Sequence, residues 1–476
     1  MITASSRSRS SRSRHAVVIG AGIAGLAAAR ALSETFDQVT VVERDHLPAT
    51  PVPRPGVPQG RHAHGLAARG RQVLETLFPG IGRELEAEGA PTADFCRQAR
   101  LHLPAGVPRP IPSQVVIQPV SRPLLETILR RRVAAIPGVR IIDGCAVTGL
   151  RAGTREITGV RITRRAVAKA GRDTATIAAD LIADAGGRSS HLPGWLTAIG
   201  LPRPGERVAD AHVGYASRTY HTEPGVTADW RALFELPRAP HLTRGCSVLR
   251  IEDHLLLVTL QGAAGDHPPG DQDGFERFAK SLACDLTGIV GPLRPAGGVS
   301  RYARSAAHRR LYHRLRPWPD GLIVLGDSAC TFNPLYAQGM TVALLEAQAL
   351  RDLLDGTRRR DLRGFSAAFQ RHVGRITFWP WMLSSLADRA WTETSPLVRA
   401  AHRYLSSYQD LAVEDATVFH NLARVTNLLA HPATFVQPYH LARVLHSQLR
   451  TASRRLGAHP GTNQRNGTSG PPTSRG

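Results

Sequence analysis

The first apolar run, His15–Gly20 (HAVVIG), is short and rich in valine, the pattern of a strand buried on both faces. Ile23–Leu32 (IAGLAAARAL) follows after a two-residue gap and is dense in alanine and leucine, which predicts a helix. Val39–Val42 (VTVV) reads as a second buried strand. Strand, turn, helix and strand in this order make a βαβ unit. Further along, the spacing predicts a helix over Pro123–Ala135, strands over Ala179–Ala183 and Gly321–Leu325, and a helix from Gly339 to Leu354. Between 210 and 300, short alternating runs such as His254–Leu260 (HLLLVTL) stand between turn signals, which predicts antiparallel strands. From 365 to 450 the pattern is helical with few breakers, and no internal repeat interrupts it.

Composition narrows the class. A chain of 476 residues with 42% hydrophobic and 21% charged residues is not mainly disordered, and its length suits two or three structural units. No run of ~18 apolar residues is present to span a membrane. The segment 1–14 is Ser/Arg-rich, lacks the apolar core of a secretory signal and is short for the transit peptide it resembles in composition. It and the Gly/Pro/Ser/Thr/Asn-rich segment 452–476 read as disordered tails. Net charge is +22, and each tail supplies +4 of it. Lys169 and Lys280 are the only lysines, so the charge is arginine. It forms no stripe or module of the nucleic-acid type, which argues against a nucleic-acid partner. What remains suits an anionic cofactor, an acidic partner or a membrane surface. Five cysteines without close pairs argue against a disulfide framework, a zinc ribbon or another metal site. The expected location is the reducing cytoplasm, including the periphery of a membrane.

The strongest chemical motif is Gly20-Ala21-Gly22-Ile23-Ala24-Gly25, set between the first strand and the first helix. There Gly20 permits the tight turn, Gly22 lets the backbone approach a pyrophosphate, and Gly25 lets helix and strand pack closely. The helix N-terminus offers free N–H groups and a positive dipole end. Glu43 ends the second strand, about 20 residues on, where a carboxylate accepts from a ribose diol; Arg44 follows it. This motif serves FAD and NAD alike. A second one separates them: Gly321–Asp327 (GLIVLGD) is a strand ending in Gly-Asp, followed by Ser328 to Met340 (SACTFNPLYAQGM).

That segment resembles the GD motif of flavoprotein monooxygenases of the aromatic hydroxylase type. The resemblance implies that Asp327 binds the ribityl chain of FAD. It also implies that the segment after Pro334 lays a helix N-terminus, with Gly339 and Met340 as donors, against the flavin pyrimidine ring. Arg54–Leu66 (RPGVPQGRHAHGL), Ser121–Leu125 (SRPLL), Asp210–Tyr220 and Arg309–Tyr312 (RRLY) are similar to segments of the bacterial flavin-dependent epoxidases of polyether polyketide pathways. The likeness runs from 15 to 355 and more loosely to 450. It implies that Arg54 and Arg122 pair with FAD phosphates or ribityl oxygens, that the Val147 backbone meets the adenine, and that His62 and His64 lie near the isoalloxazine. Two departures stand out. The hydroxylases' Ala-Asp-Gly is Ala183-Asp184-Ala185-Gly186 here, which puts direct use of a nicotinamide in doubt, and Ala337 replaces a glycine.

The implied fold class is α/β: a discontinuous Rossmann-type FAD-binding domain (15–75, 115–195 and 300–355), an inserted β-sheet substrate domain (76–114 and 196–299), and a helical C-terminal region (356–451). The implied activity is transfer of one oxygen atom from a flavin C4a-hydroperoxide to a large lipophilic substrate, foremost epoxidation of an alkene in a polyketide. Hydroxylation of an aromatic polyketide and flavin-dependent reduction of isoprenoid double bonds are the alternatives. Partners would be O2, the substrate, and NAD(P)H acting directly or through a separate flavin reductase. The lysine and the Trp-x-Trp-x-Ile-Pro motif on which flavin halogenases rely have no counterpart. No protein acid–base pair is evident, and Cys330 reads as a packing residue.

Overall fold

In the computed structural model, residues 13–164, 173–223, 229–356, 362–393 and 395–457 are described. The expected disordered tails fall largely outside them, although the last helix, Pro438–Gly457, carries the chain past the expected boundary at 452. Five parallel strands form the central sheet in the order Leu322–Val324, Leu181–Asp184, His15–Ile19, Gln38–Val42 and Val139–Ile142. The apolar runs that predicted the first, second and Gly321–Leu325 strands are buried here from both sides. The Ala179–Ala183 strand is observed two residues later, because Asp173–Ala178 already belongs to another strand. That strand, with Cys145–Ala152 and Ile157–Arg164, forms an antiparallel sheet the hydropathy pattern did not show. Its outward positions carry arginine and threonine, which dilutes the signal.

The helix Ile23–Leu32 packs its small residues on the sheet and on the long helix Gly339–Gly356. Gly25 makes that approach possible: a Cβ there would lie 1.9 Å from the Gly20 carbonyl oxygen. The helices Ala68–Leu77 and Ile81–Ala87 join the same core through Leu74, Leu77, Ile81 and Leu85. Those residues follow 76 in part, where the sequence placed the inserted unit.

The inserted sheet has seven strands, mainly antiparallel, built around Gly214–His221, Leu255–Gly262 and Arg244–Ile251. The edge strand Ala99–His102 pairs in parallel with Ala232–Glu235. His254, expected to start a strand, sits in the turn before it with φ of +52°. Alternation gives the sheet two faces. Ala216, Cys246, Val248, Leu256, Val258 and Leu260 face the amphipathic helix Gln272–Lys280. Tyr215, Ser217, Ser247, Leu249, Thr259 and Gln261 face the large cavity; of these only Ser217 stands behind its lining. Five helices, Phe365–Ile376, Phe378–Arg389, Pro396–Leu411, Ala416–Thr426 and Pro438–Gly457, complete the molecule. The cysteines are all buried and free, yet folding brings the Cys246 and Cys284 sulfurs, 38 residues apart, to 3.5 Å.

Gly25→Ala should cost at least about 3 kcal/mol, since the new methyl meets backbone rather than a movable side chain. Gly22→Ala, whose Cβ meets nothing nearer than 3.8 Å, should, compared as apoproteins, lose no more than the ~1 kcal/mol of an N-cap change. Equal midpoints for both apoprotein variants in calorimetry would refute this account of the turn.

Candidate active site

A cavity of about 1030 Å³ opens at the carboxyl ends of the parallel strands, between the central sheet, the seven-stranded sheet and the C-terminal helices. Of the twelve cofactor residues singled out in the sequence, Gly20, Gly22, Glu43, Arg44, Arg54, Arg122, Val147, Asp327, Pro334, Gly339 and Met340 line it. Gly25 lies behind them, under Gly20.

One end is arranged for an anion. Gly22 is the N-cap of Ile23–Leu32 and has no side-chain cap, so the first N–H groups of that helix are free for a ligand. The Glu43 carboxylate braces the turn by accepting from Ala21 N at 2.8 Å and Asp45 N at 3.0 Å. Arg54, only 7% exposed, donates from Nη1 to Asp45 at 2.8 Å and from Nε to Glu126 at 3.1 Å. Arg122 donates from Nε to the other oxygen of Glu126 at 2.7 Å. Glu126 thus clamps both guanidinium groups by their inner edges. Their Nη2 groups reach to 3.8 Å (Arg122) and 4.0 Å (Arg54) of the point where a Cβ on Gly22 would lie. Burial would lower the Arg54 pKa, but Glu126, Glu43 and Asp45 outweigh it and raise it. Burial likewise pushes Glu126 up, and Arg122 and Arg54 hold it below the usual carboxylate range. Arg54 and Glu126 therefore stay ionised. This cradle, empty of side-chain atoms at Gly22 and faced by two preset guanidinium edges, fits a diphosphate. Glu126 was missed in the sequence, although its i+4 spacing from Arg122 on a helix carries that signal. Val147 is half-buried at a bulge in its strand, and Arg44 is exposed at the rim.

The other end is built by the Gly-Asp turn. Gly326 has φ of +63°, and its N–H donates to the buried Glu346. Asp327 follows, and its carboxylate has no hydrogen-bond partner among the described residues, which fits a polyol. Burial raises its pKa, opposed by Arg188, Arg122 and Arg310. The segment Pro334–Tyr336 makes one 3-10 turn, capped by the Asn333 side chain on Leu335 N at 3.1 Å. Ala337 then adopts the left-handed conformation, φ +52° and ψ +26°. That conformation costs a residue with a Cβ about 1–2 kcal/mol and glycine nothing. The chain enters the helix Gly339–Gly356 directly afterwards, as the sequence predicted.

Comparison with known proteins agrees with this geometry. A family model described as an FAD binding domain matches residues 14–359. Protein Rv3254 of Mycobacterium tuberculosis is 35% identical over 382 residues, covering 79% of this chain and 80% of that protein. Kynurenine 3-monooxygenase of Salinispora arenicola is 28% identical over 388 residues, covering 76% and 77%. The chain belongs to the FAD-binding monooxygenase family. It is an FAD-dependent oxidoreductase. The solved structure of the flavin-dependent brominase Bmp2 shares the fold, with a TM-score of 0.64 at 14% identity over 93% of this chain and 100% of that one.

The flavoprotein's altered Ala-Asp-Ala-Gly segment has a structural role. Asp184 is fully buried and accepts from Gly186 N at 3.0 Å and from Ser190 Oγ at 2.5 Å, with Ser328 Oγ at 3.4 Å. Its carboxylate is spent on tying the strand end to the Gly-Asp turn, while Gly186, Gly187 and Arg188 line the cavity.

A second buried network holds the loop 333–337, expected from the sequence to be the flavin-side loop. Tyr215 Oη donates to Asn333 Oδ1 at 2.8 Å, Asn333 Nδ2 donates to Asp388 Oδ1 at 2.8 Å, and Tyr336 Oη donates to the same oxygen at 3.0 Å. Asp388 comes from the C-terminal helix Phe378–Arg389, so that region anchors the loop. Burial pushes the Asp388 carboxyl up to about 7, against the lowering by Asn333 and Tyr336. Cys330, next to this loop, has its thiol pushed well up by burial, in line with packing.

His62 and His64 both reach the cavity. His62 is 6% exposed and lies beside Tyr215 and Tyr302, with ring centroids 6.2 and 5.6 Å away. Burial, aided by Arg61, pushes it down to about 4, and burial with Arg122 does the same for His64. Both are neutral from pH 5 to 8.

Two outcomes follow for the flavoprotein. Gly22→Val fills the diphosphate cradle and leaves the fold intact, so FAD retention on purification should be lost at an unchanged apoprotein melting midpoint; full flavination would overturn the assignment. The folded pKa of Asp388 lies above its unfolded value, so its contribution is present at low pH and lost as pH rises through 7. Relative to Asp388→Asn, the wild type should lose about 1 kcal/mol between pH 6 and 8; parallel stability profiles would show that this carboxyl does not titrate there.

Proposed function

We propose that the flavoprotein inserts one oxygen atom of O2 into an unsaturated carbon of a large, mainly apolar natural product, foremost an alkene epoxidation of the polyketide type. The carrying observation is the distribution of charge in the cavity. Beyond the flavin-side loop the walls are Phe95, Leu101, Leu103, Ile117, Phe234 and Leu249, and the cavity's carboxylates, Glu43, Asp184 and Asp327, all stand at the cofactor end. Bound FAD supplies reduced flavin that activates O2. The chain supplies the remainder. The two arginines hold the diphosphate, Asp327 holds the ribityl hydroxyls, and the N–H groups at Gly339 and Met340 stabilise negative charge on the pyrimidine ring. The apolar walls exclude water and hold the double bond as the nucleophile. Epoxidation removes no proton from the substrate and so needs no carboxylate base there. No lysine lines the cavity among the described residues, which supports oxygen transfer over halogenation.

A second reading, hydroxylation of an aromatic polyketide, draws support from His62 and Gln261. Ala63 N donates to Thr259 Oγ1 at 2.8 Å, the Thr259 and Ser217 hydroxyls lie 2.6 Å apart, and Ser217 Oγ lies 2.8 Å from His62 Nδ1. Running the chain from Ala63 satisfies every hydroxyl proton and leaves the His62 proton on Nε2, which is buried without a partner. Gln261 donates to Ser247 Oγ at 2.7 Å, and its Oε1 is likewise unpartnered. His62 and Gln261 both line the cavity among apolar side chains, and polar groups there suit a substrate carrying a carbonyl and a hydroxyl.

The test is a single turnover of FAD-loaded protein, reduced anaerobically and mixed with ¹⁸O2 in the presence of polyketide polyenes or polycyclic phenols. A product with one ¹⁸O is expected, as an epoxide on the first reading and as a ring hydroxyl on the second. Saturation of a double bond without label would replace both with a reductase.

A further inference from the structure

A second cavity of about 540 Å³ lies outside the cofactor and substrate site and shares no lining residue with it. Strand pairing joins the two: Arg309 stands opposite Cys330, whose neighbours Thr331 and Phe332 line the large cavity. Arg207, Arg309, Arg314, Arg316, Arg371 and Arg375 converge on this groove. So do Phe378 and Trp379, 39% and 43% exposed, whose rings meet edge to face at 5.0 Å.

Arginine is abundant in this chain, so its presence alone decides nothing. What distinguishes the groove is that six arginines gather there with no carboxylate among its lining residues, whereas Arg54 and Arg122 at the first cavity are paired with Glu43, Asp45 and Glu126. None of the six in the groove has a carboxylate partner among the described residues. Arg309 is 4% exposed; its Nη2 donates to the Gly374 carbonyl at 2.7 Å, while its Nε is buried with no partner. Arg316 has only the carbonyls of His313 and Leu315. A buried guanidinium without an anion is costly. The same field reaches His313, which burial and the charges of Arg309, Arg314, Arg316 and Arg207 push down to about 4.

We propose that this groove is a binding site for a nucleoside diphosphate unit, either as a free nucleotide or as the handle of a larger coenzyme. Guanidinium groups in this number match phosphate oxygens by paired N–H donors. The exposed indole of Trp379 and the ring of Phe378 offer apolar faces for a base. The cavity is concave and within the ~300–1,000 Å³ range of small-molecule sites, where a protein or a bilayer would meet a flatter surface. The Trp379-Pro380-Trp381 segment and Arg309, neither of which lines the large cavity, find a role here. Trp381 lies under the site, its ring 5.9 Å from the Arg309 guanidinium.

The test uses FAD-loaded protein, so that the first diphosphate cradle is filled, and titrates it calorimetrically with ADP, NADPH, coenzyme A and inorganic pyrophosphate. ADP should bind with Kd below about 1 mM. Its affinity should fall at least about tenfold in Arg371→Ala/Arg375→Ala and in Trp379→Ala, variants at exposed positions that leave the flavin spectrum unchanged. Tighter binding of NADPH or of coenzyme A than of ADP identifies the larger molecule; equal binding identifies the diphosphate unit itself as the ligand. Two results overturn the proposal: no binding of any nucleotide up to about 1 mM, or binding of pyrophosphate equal to ADP and indifferent to Trp379→Ala, the behaviour of a plain basic patch.

Discussion

The cofactor end depends on one buried carboxylate. Glu126 sits between Arg54 and Arg122 and accepts from the Nε of each. Without it, two largely buried guanidinium groups would stand beside each other uncompensated. Removing one member of such a buried cluster costs about 3–5 kcal/mol because the remaining charges are uncompensated. With it, both outer edges are presented at the turn where the first helix begins. Arg54 also binds Asp45, whose N–H is held by Glu43, so the arginine pair, the glycine turn and the end of the second strand form one rigid unit.

The end built by the Gly-Asp turn is less regular and carries strain. Gly326 and Ala337 both have positive φ, and only the first is a glycine. The cost at Ala337 is borne by the contacts that over-determine the loop: Asn333 caps it, and Asp388 receives Asn333 and Tyr336 from a helix far along the chain. The C-terminal helices therefore do more than cover the molecule. They fix the backbone that leads into the helix starting at Gly339, and through Leu422, Thr426 and Asn427 they complete the cavity wall.

Polarity is sorted along the cavity. Ionised groups gather at the glycine turn and the Gly-Asp turn, and neutral polar side chains are set singly among apolar ones toward the seven-stranded sheet. The seven-stranded sheet produces this by simple alternation, giving a mainly apolar face, edged by Arg218, Arg244 and Arg250, to a helix and a mixed face to the cavity. His62, kept neutral by burial, belongs to the second group although it lies in an arginine-rich segment.

Sequence alone determined the βαβ unit, its glycine turn, Glu43, the Gly-Asp turn and the helix that starts at Gly339. These are local: each depends on the order of residues within a few turns of chain, and buried parallel strands advertise themselves as unbroken apolar runs. It also identified the arginines at 54 and 122 through resemblance. Tertiary structure alone decided what those arginines do with their inner edges, that Asp184 is consumed by a buried turn, that Asp388 anchors a loop 55 residues before it, and that six arginines from three segments share a groove without a carboxylate. The three-stranded sheet of 145–178 escaped detection because half its surface is solvated and its side chains are polar. The reason is common to all of these. Hydropathy records whether a position is buried, but hydrogen-bond and charge pairing across tens or hundreds of residues has no period and leaves no mark on the pattern of the chain.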